Sequence, residues 1–413
     1  MDSQINLEFN RRPCSIMHID LNSCFASIEQ QANPLLRGKP IAVAAYDTPN
    51  GCIVAASIEA KRLGIKVGLR VKEGRLLCPD LIVRTPDSDK YRAVHIALRK
   101  LLLDYTPKLI PKSIDEFVLD FSGTPAFQKG MFVVGQEIKK RIKDEIGDYL
   151  TVSIGLGPNR FLAKTASNLN KPDGLDEINE KNYRQVYKNL CLTDLNGINK
   201  QNATRLNMVG IYTVLDFLQA DIPLLRSAFH SILGYYWFLR LRGWEIDDVD
   251  WDTKSFGHSY SLPKFLTTPE ELAPILSKLV EKVGFRMRHS DFQARGVHIA
   301  LLYQDHQYFH EGRSLDQPIF ASQDIFRVAA RLLRHSPYKL PVRNLAVSCF
   351  DLSSRSTLQL NLFCDNLRKE NLVTAIDDIN DRWGNFLITP ATMANTKDFV
   401  HDRIGFGQIR GLV

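Results

Sequence analysis

Several things are scarce in this 413-residue chain, and each scarcity removes a class of protein. Cysteine is sparse: the seven residues Cys14, Cys24, Cys52, Cys78, Cys191, Cys349 and Cys364 contain no C-x-x-C pair. An odd count without paired spacing argues against a disulfide framework and a zinc ribbon, and fits a reducing cytoplasm. Long apolar runs are missing. None approaches the roughly 18 residues of a membrane span, so no membrane association is expected. The opening Met1-Asp2-Ser3-Gln4 lacks the basic-then-apolar pattern of an export signal, so secretion is not expected. Internal repeats and low-complexity tracts are absent. Charge of one sign is only in slight excess, 53 Lys and Arg against 46 Asp and Glu, a net +7. Such a balance permits a nucleic-acid partner without requiring one. Hydrophobic residues make up 44% and charged residues 24%, an ordinary globular composition with ample material for several cores.

What is present alternates. Ser15 to Ile19 reads as a buried strand ending at Asp20, and a helical pattern follows from Phe25. Pro40 to Ala45 and Gly51 to Ala56 read as strands, with a helix from Ile58 to Leu63 stopped by Gly64. Asp89 to Tyr105 is a long amphipathic helix. Leu109-Ile110 and Phe117 to Leu119 flank Ser113-Ile114-Asp115-Glu116, which predicts two strands meeting at a tight acidic turn. Met131 to Ile146 reads as a helix and Thr151 to Ile154 as a strand. Gly155 to Pro158 reads as a turn, and Asn159 to Leu169 as a helix. Residues 180–250 are mostly helical, Asp247 to Lys254 reads as a linker, and strands and helices alternate again over 255–350. The pattern gives an α+β chain of three domains plus a tail.

Three acids stand out. Asp20 ends an apolar strand, and Asp115 and Glu116 lie between two strand-like runs. Acids there cost desolvation energy unless something compensates, and hard carboxylate oxygens suit Mg²⁺. Two-metal phosphoryl transfer uses shared acids of this kind. Adjacent Asp115 and Glu116 would alternate faces on an ideal strand, so a turn or bulge must bring both round. Spacing alone also allows solvated strand-end acids.

Longer motifs narrow the choice. His18-Ile19-Asp20-Leu21-Asn22-Ser23-Cys24-Phe25-Ala26-Ser27-Ile28-Glu29, Ser113-Ile114-Asp115-Glu116, and Val152 to Lys164 running on to Asn170-Lys171-Pro172-Asp173-Gly174-Leu175 resemble, in order and spacing, the blocks of Y-family (UmuC/DinB-type) DNA polymerases. Asn22, Asn50-Gly51-Cys52 and Glu59-Ala60-Lys61 look closer to the UmuC branch. The resemblance implies a multi-domain right-hand fold. Its palm would span 1–30 and 87–178, as a sheet with helices on one side. Fingers would span 31–86, a helical thumb 179–250, a linker 251–256, and an α+β little finger 257–358. Residues 359–413 would hold a clamp-binding peptide and a tail.

The same resemblance implies roles. Asp20, Asp115 and Glu116 would be catalytic metal ligands for two Mg²⁺ ions, with the Leu21 carbonyl as a further ligand. Phe25 would be a steric gate against the ribose 2′-hydroxyl. Ser23 and Cys24 would offer backbone N–H groups to a dNTP triphosphate, with Lys61 and Lys171 as phosphate counter-charges. Two departures are visible: Asn22 where many relatives have Asp, and Ile58 where some have a phosphate-binding Tyr.

Leu195 to Lys200 followed by Leu206 to Leu218 resembles a helix-hairpin-helix. It would bind a DNA phosphate around Gly197, Asn199 and Lys200, with Asn199 taking the left-handed position of a second glycine. An ordinary helix connection fits equally. Residues 254–343 carry 13 basic against 8 acidic side chains, so primer-template DNA is expected near Lys254, Arg286 and Arg288. Gln359-Leu360-Asn361-Leu362-Phe363 resembles a sliding-clamp peptide: Leu360, Leu362 and Phe363 would fill an apolar groove and Gln359 would anchor it. The family also leaves room for accessory subunits. The expected activity is lesion-bypass DNA synthesis without proofreading. A silent DNA-bound adaptor and a palm-fold cyclase are the alternatives.

Overall fold

The apolar run Ile16–Leu21 forms strand β1, and all six of its residues are buried. Burial on both faces of a strand requires cover on both faces of its sheet. The structure, a computed structural model, describes residues 7–249, 253–337, 340–355, 366–384, 386–394, 396 and 400. Two units divide the described residues, one up to 249 and one within 250–402.

In the first unit β1 leads into helix α1 (Cys24–Ala32). A small sheet follows from β2 (Ile41–Ala44), β3 (Ile53–Ala56) and β4 (Ile82–Arg84), in the order β3-β2-β4, with helices α2 (Ile58–Arg62) and α3 (Val71–Leu77). Its own core includes Ala42, Ala44, Ile53, Ile65 and Leu81. The chain then returns through α4 (Ser88–Leu103), β5 (Leu109–Pro111), β6 (Glu116–Asp120), α5 (Pro125–Gln128), α6 (Met131–Arg141), β7 (Val152–Gly157), α7 (Arg160–Ser167) and β8 (Leu175–Glu177). The five strands order as β5-β6-β1-β7-β8, and β1 pairs antiparallel with both β6 and β7.

Helices cover both faces of this sheet, not one as the sequence suggested. Met17, Ile19, Phe117 and Ile154 pack with Leu98 and Leu101 of α4 and Ile138 of α6. Each such buried side chain contributes roughly 1.5–3 kcal/mol. The opposite face meets α7 through Ile16, Val118 and Ala163. The glycines read as a turn at 155–157 instead lie in β7. A Cβ on Gly155 would fall 2.0 Å from the Ala163 carbonyl oxygen, so glycine here marks close approach of α7 to the strand.

Helices α8 (Tyr183–Lys188), α9 (Lys200–Met208), α10 (Val214–Gln219), α11 (Ile222–Phe229) and α12 (Leu233–Arg240) surround a core that includes Phe217, Leu225 and Trp237. Across Leu206–Leu218 the chain runs helix, turn, helix: α9 ends at Met208, Gly210 takes φ +85° and α10 begins at Val214. The start of the presumed linker is anchored: Asp247 holds Arg240, and Asp248 with Glu245 holds Arg160 at the start of α7.

The second unit is a four-stranded antiparallel sheet, with β9 (Ser255–Leu266), β10 (Phe292–Tyr303), β11 (Tyr308–Ile319) and β12 (Val342–Ser354) ordered β11-β10-β12-β9. Helices α13 (Pro269–His289) and α14 (Ser322–Arg334) cover one face. A tail helix, α15 (Asn366–Trp383), joins this unit, so the described part of the tail belongs to it. Among the described residues no helix is long and apolar enough to cross a membrane.

Candidate active site

The β1–α1 junction carries the densest chemistry. Asp20 lies directly opposite Glu116 across the β1/β6 ladder. Asp115 sits in a bend just before β6, which frees its side chain from strand alternation as the acidic-turn reading required. The bend is pinned from behind. Buried His95 of α4 donates through Nδ1 to the Ile114 carbonyl at 2.9 Å and stacks on Phe117. Burial lowers the His95 pKa, which suits this neutral donor.

A cavity of about 640 Å³ opens here. Asp20, Leu21, Ser23, Cys24, Phe25, Lys61, Asp115 and Lys171, all named from the sequence, line it. Asn22, Ile58, Arg62 and Pro172 line it too. Arg62 was missed, although a second cation beside Lys61 in the last turn of α2 was a signal.

Charge in the cavity is nearly balanced. Lys171 Nζ lies 2.7 Å from Asp20 Oδ2. Burial raises the Asp115 pKa, and the charges of Asp20 and Glu116 raise it further against a hydrogen bond from Ser113. Burial and the nearby Lys171 lower Lys61, against the pull of Asp20 and Asp115. Cys24 is raised well above the thiol range by burial and the same two aspartates, so it is no nucleophile.

Glu116 differs. It is not among the cavity-lining residues; it pairs with Lys164 of α7 and lies 3.5 Å from His18 Nε2. Burial would raise its pKa, but the neighbouring His18 and Lys164 outweigh it and bring it down to about 2. Among the described residues no three His, Cys, Asp or Glu side chains are gathered closely enough to hold a metal ion. The donors that do face one cavity, Asp20 and Asp115, are hard oxygen ligands. Burial is the larger part of the upward push on Asp115, and the carboxylate repulsion that adds to it is the kind a divalent cation relieves.

Ser23 caps α1 in the left-handed region, at φ 52°, and its hydroxyl makes no hydrogen bond. Such backbone costs of order 1–3 kcal/mol and clusters at ligand sites. Phe25 is 2% exposed and stacks on Tyr91 of α4, with centroids 4.2 Å apart and planes 8° apart. Tyr91 is pinned in turn. Its hydroxyl donates to buried Glu29 at 3.0 Å, and Lys90 neutralises the other Glu29 oxygen at 3.2 Å.

The remaining sequence candidates fare differently. Gly197, Asn199 and Lys200 are exposed. Gly197 has φ +98°, but Asn199 is extended and caps α9, accepting from the Asn202 N–H at 2.8 Å, so it does not replace a left-handed glycine. Lys254 is exposed just before β9.

Arg288 is a correction, and Arg286 is half-buried. Arg288 is 7% exposed, forms a two-pronged pair with Asp377 of α15 at 2.7 and 2.8 Å, and also donates to the Phe320 carbonyl and to Ser322. Arg286 donates to the Lys282 and Gly257 carbonyls. The Arg288 guanidinium serves the fold, because α15 supplies an acceptor that local sequence could not reveal. Asp377→Ala is expected to lower the unfolding free energy of this unit by roughly 3 kcal/mol, since it strands a buried cation. A urea midpoint equal to wild type would contradict that role. Gln359, Leu360, Leu362 and Phe363 lie outside the described residues.

Comparison with known proteins agrees with this geometry. Residues 19–168 match the impB/mucB/samB family, and residues 253–362 match the impB/mucB/samB family C-terminal domain. The chain is 31% identical over 398 residues to DNA polymerase IV of Pelotomaculum thermopropionicum, covering 95% of this chain and 98% of that one. It is 34% identical to DNA polymerase IV of Moorella thermoacetica, with 91% and 95% covered. A solved Y-family DNA polymerase chimera of Dbh and Dpo4 superposes with a TM-score of 0.72 at 24% identity, covering 81% of this chain and 98% of that one. The chain belongs to the impB/mucB/samB family, the Y-family of DNA-directed DNA polymerases. DNA polymerase IV is a DinB-type name, so these relatives lend no support to a UmuC-branch placement.

Proposed function

We propose that this chain extends a primer on a DNA template past damaged bases, joining the α-phosphate of a dNTP to the primer 3′-oxygen and releasing pyrophosphate. The observation that carries the reading is one cavity lined by Asp20, Asp115, Lys61, Lys171 and Phe25. Lys61 and Lys171 neutralise the triphosphate, with Arg62 beside them. The strained Ser23 and the Cys24 backbone cradle phosphate oxygens at the start of α1. Phe25, backed by Tyr91, excludes a 2′-hydroxyl.

Asp20, Asp115, the Leu21 carbonyl and Glu116 would hold Mg²⁺, two ions in this reading. When bound, these ions activate the attacking oxygen and stabilise the leaving group. Lys164 and His18 keep Glu116 ionised and oriented beside Asp20. Gly197 and Lys200 in the helical lobe, and Lys254 in the second unit, remain the DNA contacts of the reading, Asn199 holding the hairpin as a cap. A sliding clamp engaged through Gln359, Leu360, Leu362 and Phe363 belongs to the same proposal, as do accessory subunits. So does a cytoplasmic location, which suits the free thiols of the described cysteines.

Primer extension across an abasic site tests the reading. Full-length product past the lesion is expected. Copying of undamaged template with no product beyond the lesion would overturn the bypass claim.

A further inference from the structure

Asn22 is a departure from many relatives, and its surroundings give it work. Its side chain is 4% exposed and joins three segments of the first unit. Nδ2 donates to Ser153 Oγ at 2.8 Å, while Oδ1 accepts from Thr151 Oγ1 at 3.1 Å and from the Asp173 backbone N–H at 2.8 Å. That backbone donor fixes which amide atom is oxygen. The Asn22 main chain is held as well: its N–H donates to the Thr151 carbonyl, and its carbonyl accepts from Ser27 Oγ at 2.7 Å. Asp173 is gripped from the other side, its carboxylate 3.0 Å from Lys139 and 3.2 Å from Lys143. The segment is therefore clasped two residues beyond Lys171, whose ammonium meets Asp20 and lines the cavity.

We propose that Asn22 is a positioning residue for the incoming nucleotide: its amide oxygen holds the 171–173 segment so that the Lys171 ammonium stands at the triphosphate position. This rests on the reading of Lys171 as a phosphate contact. Asn22 has no need to meet the nucleotide, because it acts through the Asp173 N–H. Alanine leaves that N–H without its acceptor and loosens the segment. Aspartate keeps an acceptor for Asp173, and the Ser153 hydroxyl can turn to donate to the second oxygen.

Steady-state extension of an undamaged primer-template tests this with Asn22→Ala, Asn22→Asp, Lys171→Ala and the double variant Asn22→Ala/Lys171→Ala. Asn22→Ala is expected to raise the KM for dNTP about 10-fold and to change kcat by less than about 3-fold. Asn22→Asp should restore most of the KM. In the Lys171→Ala background, Asn22→Ala should add almost nothing, because the group it positions is gone. Primer-template affinity without dNTP should match wild type in every variant, which separates positioning from a folding defect. A full additional 10-fold in the double variant would overturn the proposal while leaving Lys171 as a phosphate contact. A wild-type KM in Lys171→Ala would remove the Lys171 reading and the anchor with it.

Discussion

Asp115→Ala is expected to cut primer extension roughly 1,000-fold while primer-template binding persists, since several kcal/mol of charge stabilisation at the reacting phosphate would be lost. Asp115 sits in the bend before β6, faces the same cavity as Asp20, and is pushed upward by burial and by two neighbouring carboxylates. Evolution of a stable fold alone would not favour such crowding. Removing the carboxylate should therefore leave thermal stability equal to wild type or slightly above it. Activity lost together with stability would point to a structural acid, and extension within about 3-fold of wild type would end the catalytic assignment.

Phe25→Ala is expected to weaken discrimination against ribonucleotides by about 10–200-fold, the scale on which a packed pocket separates substrates differing by one small group. Incorporation of dNTP should change far less. Tyr91→Ala tests the same wall from behind. Tyr91 stacks on the ring and is held by Glu29, so its loss lets Phe25 tilt without removing it. Its effect should fall between wild type and Phe25→Ala. The ratio of rNTP to dNTP kcat/KM measures both, and an unchanged ratio in Phe25→Ala would assign the ring to core packing alone.

Much of this site was legible because its signals are local. An apolar strand stopping at Asp20, an acidic dipeptide between two short strands and a helix starting at Cys24 place their side chains through chain geometry alone. Tertiary partners were not legible. Gly155 and Gly157 look like a turn until α7 is known to lie on β7. The Lys164 and His18 partners of Glu116 are likewise invisible until α7 and β1 are seen beside it. Arg288 looks like a DNA cation until Asp377, far along the chain, is seen against it. In each case the deciding atom comes from another element, and hydropathy patterning carries no record of that pairing.

The tail's place in the second unit has a consequence for biosynthesis. Lys278 and Lys282 of α13 are 7% and 6% exposed, and each donates to a main-chain carbonyl 118 residues later, at Thr396 and Val400. A nascent chain released early, or paused on the ribosome before those carbonyls emerge, lacks both acceptors and the Phe386 ring that covers the two ammonium groups. Completion of this domain is therefore coupled to synthesis of the chain through Val400, a long-range closure that penalises products truncated before it.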